Sequence, residues 1–162
     1  MKIIDALNVY RGNFKGLFFI LCFRVAHFFT KNKTLYIIGT PIRLLYRFLF
    51  RWIMGIDVPE KVVVGKCFRV CHGIGLIIHP DTRIGDNVIV HQNTTIGITF
   101  GSRPPRIGNN VFIGANSVLI GDISIGDNAI IAAGSVVIKD VPRAAVVAGN
   151  PAKIIKFRNQ LC

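Results

Sequence analysis

One histidine stands out as a residue that can carry out proton transfer. His72 lies in the segment Cys71-His72-Gly73-Ile74-Gly75, where the two glycines allow the backbone to bulge and leave the imidazole accessible. Near neutral pH an imidazole can take a proton from a hydroxyl and return one to a leaving group. The sequence therefore offers His72 as a general base, although a histidine at a turn can also serve only to satisfy hydrogen bonds.

The same segment raises the question of a metal site, because Cys67 and Cys71 precede His72. Zinc sites usually show closely paired ligands such as CxxC, and this sequence has no such pair. We therefore predict no metal. The unpaired cysteine spacing, and the lack of a recognisable cleavable signal, predict a reducing cytoplasmic setting without disulfides.

A six-residue repeat must position these side chains. Aliphatic residues recur at every sixth position over most of residues 84–137, and Gly with Asn or Asp often follows them. Such a unit can form one short strand, whose aliphatic side chain points inward, and one corner, whose backbone Gly and Asn tolerate. Except after Ile96, where the interval lengthens, the position four residues after each aliphatic is small or β-branched, as a narrow interior requires. The aliphatic positions are Ile84, Val90, Ile96, Ile107, Ile113, Leu119, Ile125, Ile131 and Val137.

Three such units would close a triangular coil, and stacked coils bury a continuous core. A less regular pair at Val64 and Val70 extends the pattern upstream, so we predict about four coils in a mainly β fold. After Ile96 the interval is eleven residues instead of six, so residues 97–106 must leave the coil as a loop. Loops on a rigid scaffold usually carry function, although a tolerated insertion is the alternative.

Residues 1–56 differ in composition from the rest of the chain. They hold nine Lys and Arg against one acid and twelve of the sixteen aromatic residues. Residues 57–162 hold eleven Lys and Arg against seven acids. We therefore predict a basic, aromatic-rich helical region over 1–56 and a repeat domain with a C-terminal tail over 57–162. The net charge of +12 together with 51% hydrophobic residues is typical of a folded chain and not of a disordered one.

The N-terminal region has the pattern of amphipathic helices. A Thr-Pro pair at 40–41 is typical of a helix start, and Arg43, Arg47 and Arg51 then fall on one helix face. The apolar run 17–29 is too short to span a bilayer. Two hypotheses stay open: the helices pack on the repeat domain, or they lie on the inner leaflet of the membrane with the arginines toward anionic lipid. No recognition motif accompanies the basic patch, so we predict no nucleic acid partner.

Four short motifs accompany the repeat, and together with it they resemble one family. The motifs are Cys71-His72-Gly73-Ile74-Gly75, Thr95-Ile96-Gly97, Ala133-Gly134-Ser135-Val136-Val137 and Ala148-Gly149-Asn150-Pro151-Ala152-Lys153. The segment 57–153 resembles the hexapeptide-repeat acyltransferases, in particular the serine acetyltransferases and their relatives that modify capsular or exopolysaccharides. The resemblance implies a left-handed parallel β-helix, a homotrimer and acetyl-CoA as acyl donor. The left hand comes from the resemblance alone, because crossovers between parallel strands are generally right-handed.

The resemblance also assigns the catalytic pair. His72 matches the family's catalytic base, and Asp57 matches the acid that accepts a hydrogen bond from the imidazole and fixes its tautomer. The two lie fifteen residues apart, slightly less than one coil, so adjacent coils can bring them together. Asp57 can instead cap the turn before Pro59. Direct transfer with backbone N–H groups stabilising the oxyanion needs no acyl-enzyme.

Two departures from the family bear on the acceptor. Serine acetyltransferases place an acid directly before the catalytic histidine and a second histidine after the loop arginine, where this chain has Cys71 and Pro104. Arg103, the loop arginine, is present. We therefore predict that Arg103, Cys71 and Pro104 contact the acceptor, and that it is a sugar or glycan hydroxyl. L-serine is the alternative, and a non-enzymatic β-helix scaffold is the less favoured one.

The resemblance places CoA in the groove between adjacent subunits. Ala115, Ala133 and Gly134 match the small residues along that groove, and Lys139 and Lys153 are predicted to meet the CoA phosphates. Small residues and lysines at corners also simply build a coil, and the two roles are compatible. The sequence as a whole thus predicts a cytoplasmic acetyl-CoA-dependent O-acetyltransferase of sugar or polysaccharide precursors, with membrane contact as an open hypothesis.

Overall fold

A computed structural model describes Tyr10 and residues 12–158, and its larger part is a parallel β-helix. From β1 to β10 each strand pairs in parallel with the strand three places later, so three strands make one coil; at the C-terminal end β12 pairs with β14, and β14 pairs antiparallel with β15. The three sheets have the orders β1-β4-β7-β10-β13, β2-β5-β8-β11 and β3-β6-β9-β12-β14-β15. The strands are β1 Ile56–Asp57, β2 Val63–Val64, β3 Arg69–Cys71, β4 Leu76–Ile78, β5 Arg83–Ile84, β6 Ile89–His91, β7 Thr95–Gly97, β8 Arg106–Ile107, β9 Phe112–Ile113, β10 Val118–Ile120, β11 Ser124–Ile125, β12 Ile130–Ile131, β13 Val136–Val137, β14 Ala145–Gly149 and β15 Ala152–Phe157.

Within residues 12–158 the strands form five coils, one more than the four predicted. The predicted count included β2 and β3 through Val64 and Val70, but neither β1 nor β14, which lie beyond the two ends of the sequence pattern. In the fifth coil a single bridge from Ile125 to Val141 stands where the second strand would be, because Pro142 follows it directly and has no N–H to extend the ladder. The loop between β7 and β8 leaves the coil, which confirms the predicted excursion.

The interior of the coils matches the predicted pattern. All nine aliphatic positions of the repeat are buried, and so are the positions four residues after them, except Phe100, which lies in the loop and is fully exposed. Three buried hydroxyls find backbone acceptors: Ser117 Oγ and Ser135 Oγ donate to the Ala132 carbonyl at 3.1 and 2.6 Å, and Thr94 Oγ1 donates to the Gly114 carbonyl at 3.3 Å. The buried Thr82 Oγ1 has no partner among the described residues. The hexad therefore fixes both the apolar core and the few polar groups it encloses.

The N-terminal region folds as three helices and a short π-helical extension. They are α1 Phe14–Phe28, α2 Lys33–Ile38, α3 Thr40–Arg47 and the π-helical segment Phe48–Ile53. The predicted helix start at Thr40 is confirmed. Across the part of the chain that the structure describes, every helix is too short or too polar to cross a bilayer. Helical and repeat residues share one buried cluster, with the helices ending at Ile53 and the first strand beginning at Ile56.

The helices cover the open end of the first coil. Helical side chains donate hydrogen bonds to carbonyls of that coil, which has no preceding coil to pair with. Tyr46 Oη donates to the Val58 carbonyl at 2.8 Å, and Arg24 donates to the carbonyls of Val64, at 3.2 Å, and Gly65. Further donors are Asn13 to Val70 at 2.7 Å, His27 Nδ1 to Glu60 at 2.7 Å, and Tyr10 to Phe68.

The arginine face of α3 turns toward the β-helix, so the expectation that it faces anionic lipid is wrong. Arg47 donates twice to the fully buried Glu60, with Nε 3.1 Å from Oε2 and Nη2 2.6 Å from Oε1. Arg43, itself buried, lies 3.3 Å from the same carboxylate. Arg51 pairs with Asp57 at 3.2 Å. These carboxylates belong to the first coil, so charge pairing fixes which helix face meets it.

The opposite side of the helices is apolar and exposed. This outer apolar face includes Trp52, which is 78% exposed, and Phe14, which is 80% exposed. Its other members are Phe18, Leu21, Val25, Ile42, Leu44, Leu45, Phe48 and Ile53. A face of this size and aromatic content is unusual on the surface of a soluble monomer and indicates contact with something else.

Glu60 provides a test of the helix attachment. Burial alone would raise the pKa of its carboxyl, but hydrogen bonds from Arg47, from its own backbone N–H and from Arg43 outweigh burial and lower the pKa. A carboxyl whose pKa is lower in the folded state than in the unfolded state stabilises the fold at pH values above its unfolded-state pKa of about 4.3. That contribution is lost as the pH falls through the lower folded-state value.

We predict that Glu60→Ala lowers the free energy of unfolding by about 3–5 kcal/mol at pH 7, because it leaves two arginines without their shared carboxylate. The measurement is urea denaturation followed by circular dichroism, repeated between pH 7 and pH 3.5, where the difference between variant and wild type should shrink. Asp122→Ala, which removes an exposed carboxylate, is the control. An effect of Glu60→Ala no larger than that of the control would contradict the prediction.

Candidate functional site

One edge of the prism gathers most of the predicted chemistry. At this edge the chain turns from the third strand of one coil into the first strand of the next. Its corners lie at residues 72–75, 92–94, 114–117 and 132–135, and we call it the His72 edge. Backbone hydrogen bonds stack the corners: Asn93 N donates to Ile74 O at 2.8 Å, Asn116 N to Gln92 O at 3.1 Å, and Gly134 N to Ala115 O at 2.8 Å.

His72 occupies the sharpest corner of this edge. Its φ of 65° is left-handed, and Gly73 and Gly75 follow with φ values of 67° and 70°. A left-handed conformation is costly for a residue with a Cβ, and it is here that the six-residue register slips. The backbone N–H of Ile74 donates to the His72 carbonyl at 2.9 Å, and the His72 residue is exposed.

The neighbours of Asp57 and His72 in the chain contact each other, but the Asp57 carboxylate has another partner. Gly73 packs so tightly on Ile56 that an added Cβ would stand 2.7 Å from Ile56 Cδ1, and Asp57 follows Ile56 on β1. The Asp57 carboxylate pairs with Arg51 at 3.2 Å. Among the residues described, no hydrogen bond joins Asp57 to His72, so the catalytic pair stays a prediction.

Cys71 and His91 lie side by side next to His72. They are direct partners in the β3–β6 pairing. Burial raises the pKa of the Cys71 thiol, so this side chain is neutral near pH 7 and is no substitute for a carboxylate. Burial and then the proximity of His72 lower the pKa of His91, whose ring lies 5.1 Å from that of Phe112. His91 is therefore a neutral imidazole beside the proposed base.

The loop carrying Arg103 and Pro104 leaves from a different edge. It connects β7 to β8, so it starts at the far side of the sheet that begins at the His72 edge. A turn at its base joins the Thr99 N–H to Ser102 Oγ at 2.9 Å, and Arg103 is exposed. Arg103 and His72 stand on different edges and different coils, so one chain does not bring them together.

The small residues predicted to line the CoA path do come together. Ala115 and Gly134 are joined by a hydrogen bond on the His72 edge, and Ala133 and Gly134 are exposed. An added Cβ on Gly134 would meet nothing within 4 Å, so the surface there is open to an extended ligand. Lys139 lies exposed at a corner of the next edge, and Lys153 lies exposed on β15.

A search of the described part of the chain finds no group of three or more His, Cys, Asp or Glu side chains that could hold a metal ion. The histidines in the described part of the chain also make different contacts. His27 bonds to the Glu60 carbonyl, and His79 Nδ1 accepts a hydrogen bond from the Asp81 N–H at 3.3 Å. Of these side chains, only His72 and His91 are neighbours at one site.

Three contacts at or near this site were not predicted from the sequence. His91 was not placed beside His72, because their spacing is set by the register slip and not by the hexad. The sequence analysis also did not pair Arg51 with Asp57, although Arg51 lies shortly before the first strand and Asp57 belongs to it. The hydrogen bond from Asn93 Nδ2 to Asn116 Oδ1, at 3.1 Å, could have been predicted from the sequence. The two residues are 23 positions apart, which is one coil plus the extra residues of the loop.

Comparison with known proteins supplies relatives that share this architecture. The sequence model of the family "Bacterial transferase hexapeptide (six repeats)" matches residues 104–139. Serine acetyltransferase of Helicobacter pylori is 34% identical over 145 residues, which are 88% of this chain and 82% of that protein. The Escherichia coli protein WcaB, named for acetyl transfer in colanic acid biosynthesis, is 33% identical over 141 residues, 83% of this chain and 87% of that protein.

Solved structures agree with the fold described above. Soybean serine acetyltransferase superposes with a TM-score of 0.77 at 32% identity, covering 88% of this chain and 58% of that one. Serine acetyltransferase of Brucella abortus in complex with coenzyme A gives a TM-score of 0.81 at 29% identity, covering 96% of this chain and 66% of that one. The likeness confirms the left-handed coil that the resemblance implied. The chain spans less than two thirds of the length of these structures.

Proposed function

The chain belongs to the hexapeptide-repeat transferase family, and on that premise we propose that it is an acetyl-CoA-dependent O-acetyltransferase. The observation that carries the proposal is the His72 edge. There an exposed imidazole and an open path of small residues share one line of stacked corners. A base and a donor groove on the same edge are what acetyl transfer to a hydroxyl requires.

The proposed reaction is a direct transfer. His72 takes the proton of the acceptor hydroxyl as its oxygen attacks the thioester carbon, which becomes tetrahedral. The intermediate collapses, the carbon–sulfur bond breaks, and the CoA thiolate takes the proton back from the imidazolium. Asp57, which directly follows Ile56 at its contact with Gly73, is proposed to orient the imidazole once its carboxylate is released from Arg51.

The donor fits the residues that are present. The CoA arm carries amides that can pair with exposed backbone along the corners at Ala115, Ala133 and Gly134, where the surface is clear of side chains. Lys139 and Lys153 are exposed and are proposed to meet its phosphates as point charges. Bound acetyl-CoA supplies the activated acyl group.

A homotrimer is proposed as the active form. Arg103 and Pro104 leave from one edge of a sheet and His72 stands at the other, so within one chain the predicted acceptor residues do not meet the base. A neighbouring subunit related by a threefold axis along the prism can place its loop against the His72 edge of this one. The site is then complete only between subunits.

Two acceptors are proposed, each on its own observation. L-serine comes first, because most of the relatives found are serine acetyltransferases, including those of Helicobacter pylori and soybean. A sugar hydroxyl comes second, favoured by the likeness to WcaB over 87% of that protein's length. Cys71 and Pro104 also favour it, because a neutral thiol gives the ammonium group of serine no counter-charge.

Contact with a membrane surface is proposed through the outer apolar face and not through the arginines. Exposed lysines at 15, 31 and 33 border this face, and none of them has a carboxylate partner among the described residues. Lys31 Nζ lies 5.1 Å from the Phe28 ring. A second copy on this face would bring lysines against lysines, whereas anionic lipid complements both the charge and the aromatic side chains.

The base is tested by removing it. We predict that His72→Ala lowers kcat for acetyl transfer by a factor of about 10² to 10⁴, because the hydroxyl loses its proton acceptor. His79→Ala, on another edge, should retain wild-type activity. Release of CoA followed with a thiol reagent gives the rate, and light scattering checks that the assembly is unchanged. Equal activity of His72→Ala and His79→Ala would remove His72 from the mechanism.

The identity of the acceptor is tested with a panel of acceptors and with a variant that restores the acid and the histidine of serine acetyltransferases. We predict that Cys71→Asp combined with Pro104→His lowers KM for L-serine by about tenfold or more, since a charged hydrogen bond contributes about 1.5–3 kcal/mol. The panel compares L-serine with neutral and phosphorylated sugars for wild type and variant, and Cys22→Asp controls for general effects of an added acid. A wild-type enzyme that already prefers L-serine over every sugar would rule out the sugar acceptor.

The membrane proposal predicts flotation with vesicles of phosphatidylcholine and phosphatidylserine. Wild type should rise with the vesicles, and Leu45→Lys combined with Trp52→Ser should stay in solution, because both changes remove apolar area from the outer face. Ile155→Lys changes an exposed apolar residue on β15 and should float like wild type. If wild type stays in solution, and the double variant only reduces the mass found by light scattering, the face is an interface between copies.

A further inference from the structure

A cationic cleft lies between α3 and the first coil, apart from the CoA path. Its volume is about 290 Å³, and its walls come from the helix side, Tyr46, Arg47, Phe50 and Arg51, and from the first two coils, mainly Asp57, Pro59, Lys61 and Pro80. The volume is close to the lower end of the range for ligand pockets. The cleft is thus large enough for a small polar group and part of the molecule that carries it.

The charges around the cleft do not balance. Arg43 and Arg47 share one carboxylate, Glu60, and Arg51 has Asp57. Lys61 is exposed and its Nζ lies 5.7 Å from the ring of Tyr36, with no acid beside it. Four cationic side chains in the cleft and directly behind it therefore have two carboxylates between them, which leaves two positive charges without compensation in the described structure; Arg43 and Glu60 are the two of these groups that lie behind the wall and do not line it.

The geometry leaves donors available to a ligand. The side chain of Arg51 is 60% exposed and uses only one contact, Nη2 to Asp57 Oδ2 at 3.2 Å, so most of its five N–H groups are open. Arg47 gives Nε and Nη2 to Glu60 and keeps Nη1. A planar guanidinium with open N–H groups next to a lysine is the usual arrangement for binding phosphate.

We propose that this cleft binds a phosphate group, held by Arg51 and Lys61 with Arg47 behind them. A phosphate monoester carries nearly two negative charges at pH 7 and so matches the two uncompensated cations. A single carboxylate, such as that of free serine, would leave one of them unmatched. The ligand is therefore a phosphorylated molecule, either the acceptor itself, as a sugar phosphate, or a separate phosphate effector.

The cleft is also coupled to the proposed base through Asp57, which lines it. A phosphate that takes over Arg51 releases the carboxylate of Asp57, whose neighbour Ile56 contacts Gly73 in the corner of His72. Occupation of the cleft and orientation of the imidazole are then linked by one shared arginine. This second step rests on the proposed function, whereas phosphate binding does not.

Binding is measured first, without acetyl-CoA. Glucose 1-phosphate, glucose and inorganic phosphate are titrated into the full chain at constant ionic strength by calorimetry. Glucose 1-phosphate should bind and glucose should not, and Arg51→Gln or Lys61→Gln should each weaken binding by about tenfold or more. Lys66→Gln, an exposed lysine outside the cleft, should bind like wild type. No binding of either phosphate, or equal weakening by all three variants, would overturn the proposal.

Activity then separates the two sources of phosphate. If the phosphate belongs to the acceptor, Arg51→Gln raises KM for a sugar phosphate and leaves KM for the matched neutral sugar unchanged. If it belongs to an effector, inorganic phosphate raises kcat with the neutral sugar in wild type and not in Arg51→Gln. If wild type transfers no acetyl group to any acceptor, the proposed function is refuted, whereas the result on phosphate binding still stands.

Discussion

The unpaired carbonyls of the first coil are the constraint on which the rest of the structure depends. In a parallel coil every strand finds partners above and below, except at the ends of the stack. Here five side chains from the helical region reach six carbonyls between Val58 and Val70 and supply the hydrogen bonds that a preceding coil would give. Because a buried carbonyl without a donor is costly, the helices and the repeat domain fold as one unit with a common core.

Glu60 converts this backbone cap into a specific orientation. One fully buried carboxylate accepts from two arginines a helical turn apart, so α3 can dock with only one face inward. That choice brings Arg51 to Asp57 and opens the cationic cleft, and it also leaves leucines, phenylalanines and Trp52 on the outside. The surface chemistry of the helical region thus follows from a single interaction in its interior.

The sequence predicted the regular part of the fold better than its ends. The hexad gave the interior positions and the loop after Ile96, because each depends only on local spacing. The predicted number of coils was one too low because β1 and β14 lie beyond the two ends of the sequence pattern. The direction of the arginines could not be predicted, because helical periodicity says which residues share a face and not what the face meets. His72 was predicted as the base from its glycines and stays a prediction, whereas the position of its neighbour His91 depends on pairing across the slip at Gly73.

The stacked corners of the His72 edge set a fixed length along the prism axis. Three coil steps separate the corner of His72 from that of Gly134, and adjacent strands lie about 4.8 Å apart, so the two points are roughly 14 Å apart along the prism axis. Backbone hydrogen bonds fix this length, and side-chain substitutions cannot stretch it. A donor gripped at the far corner must carry its reactive carbon on an arm that long, so the coil count itself selects for a long, narrow donor.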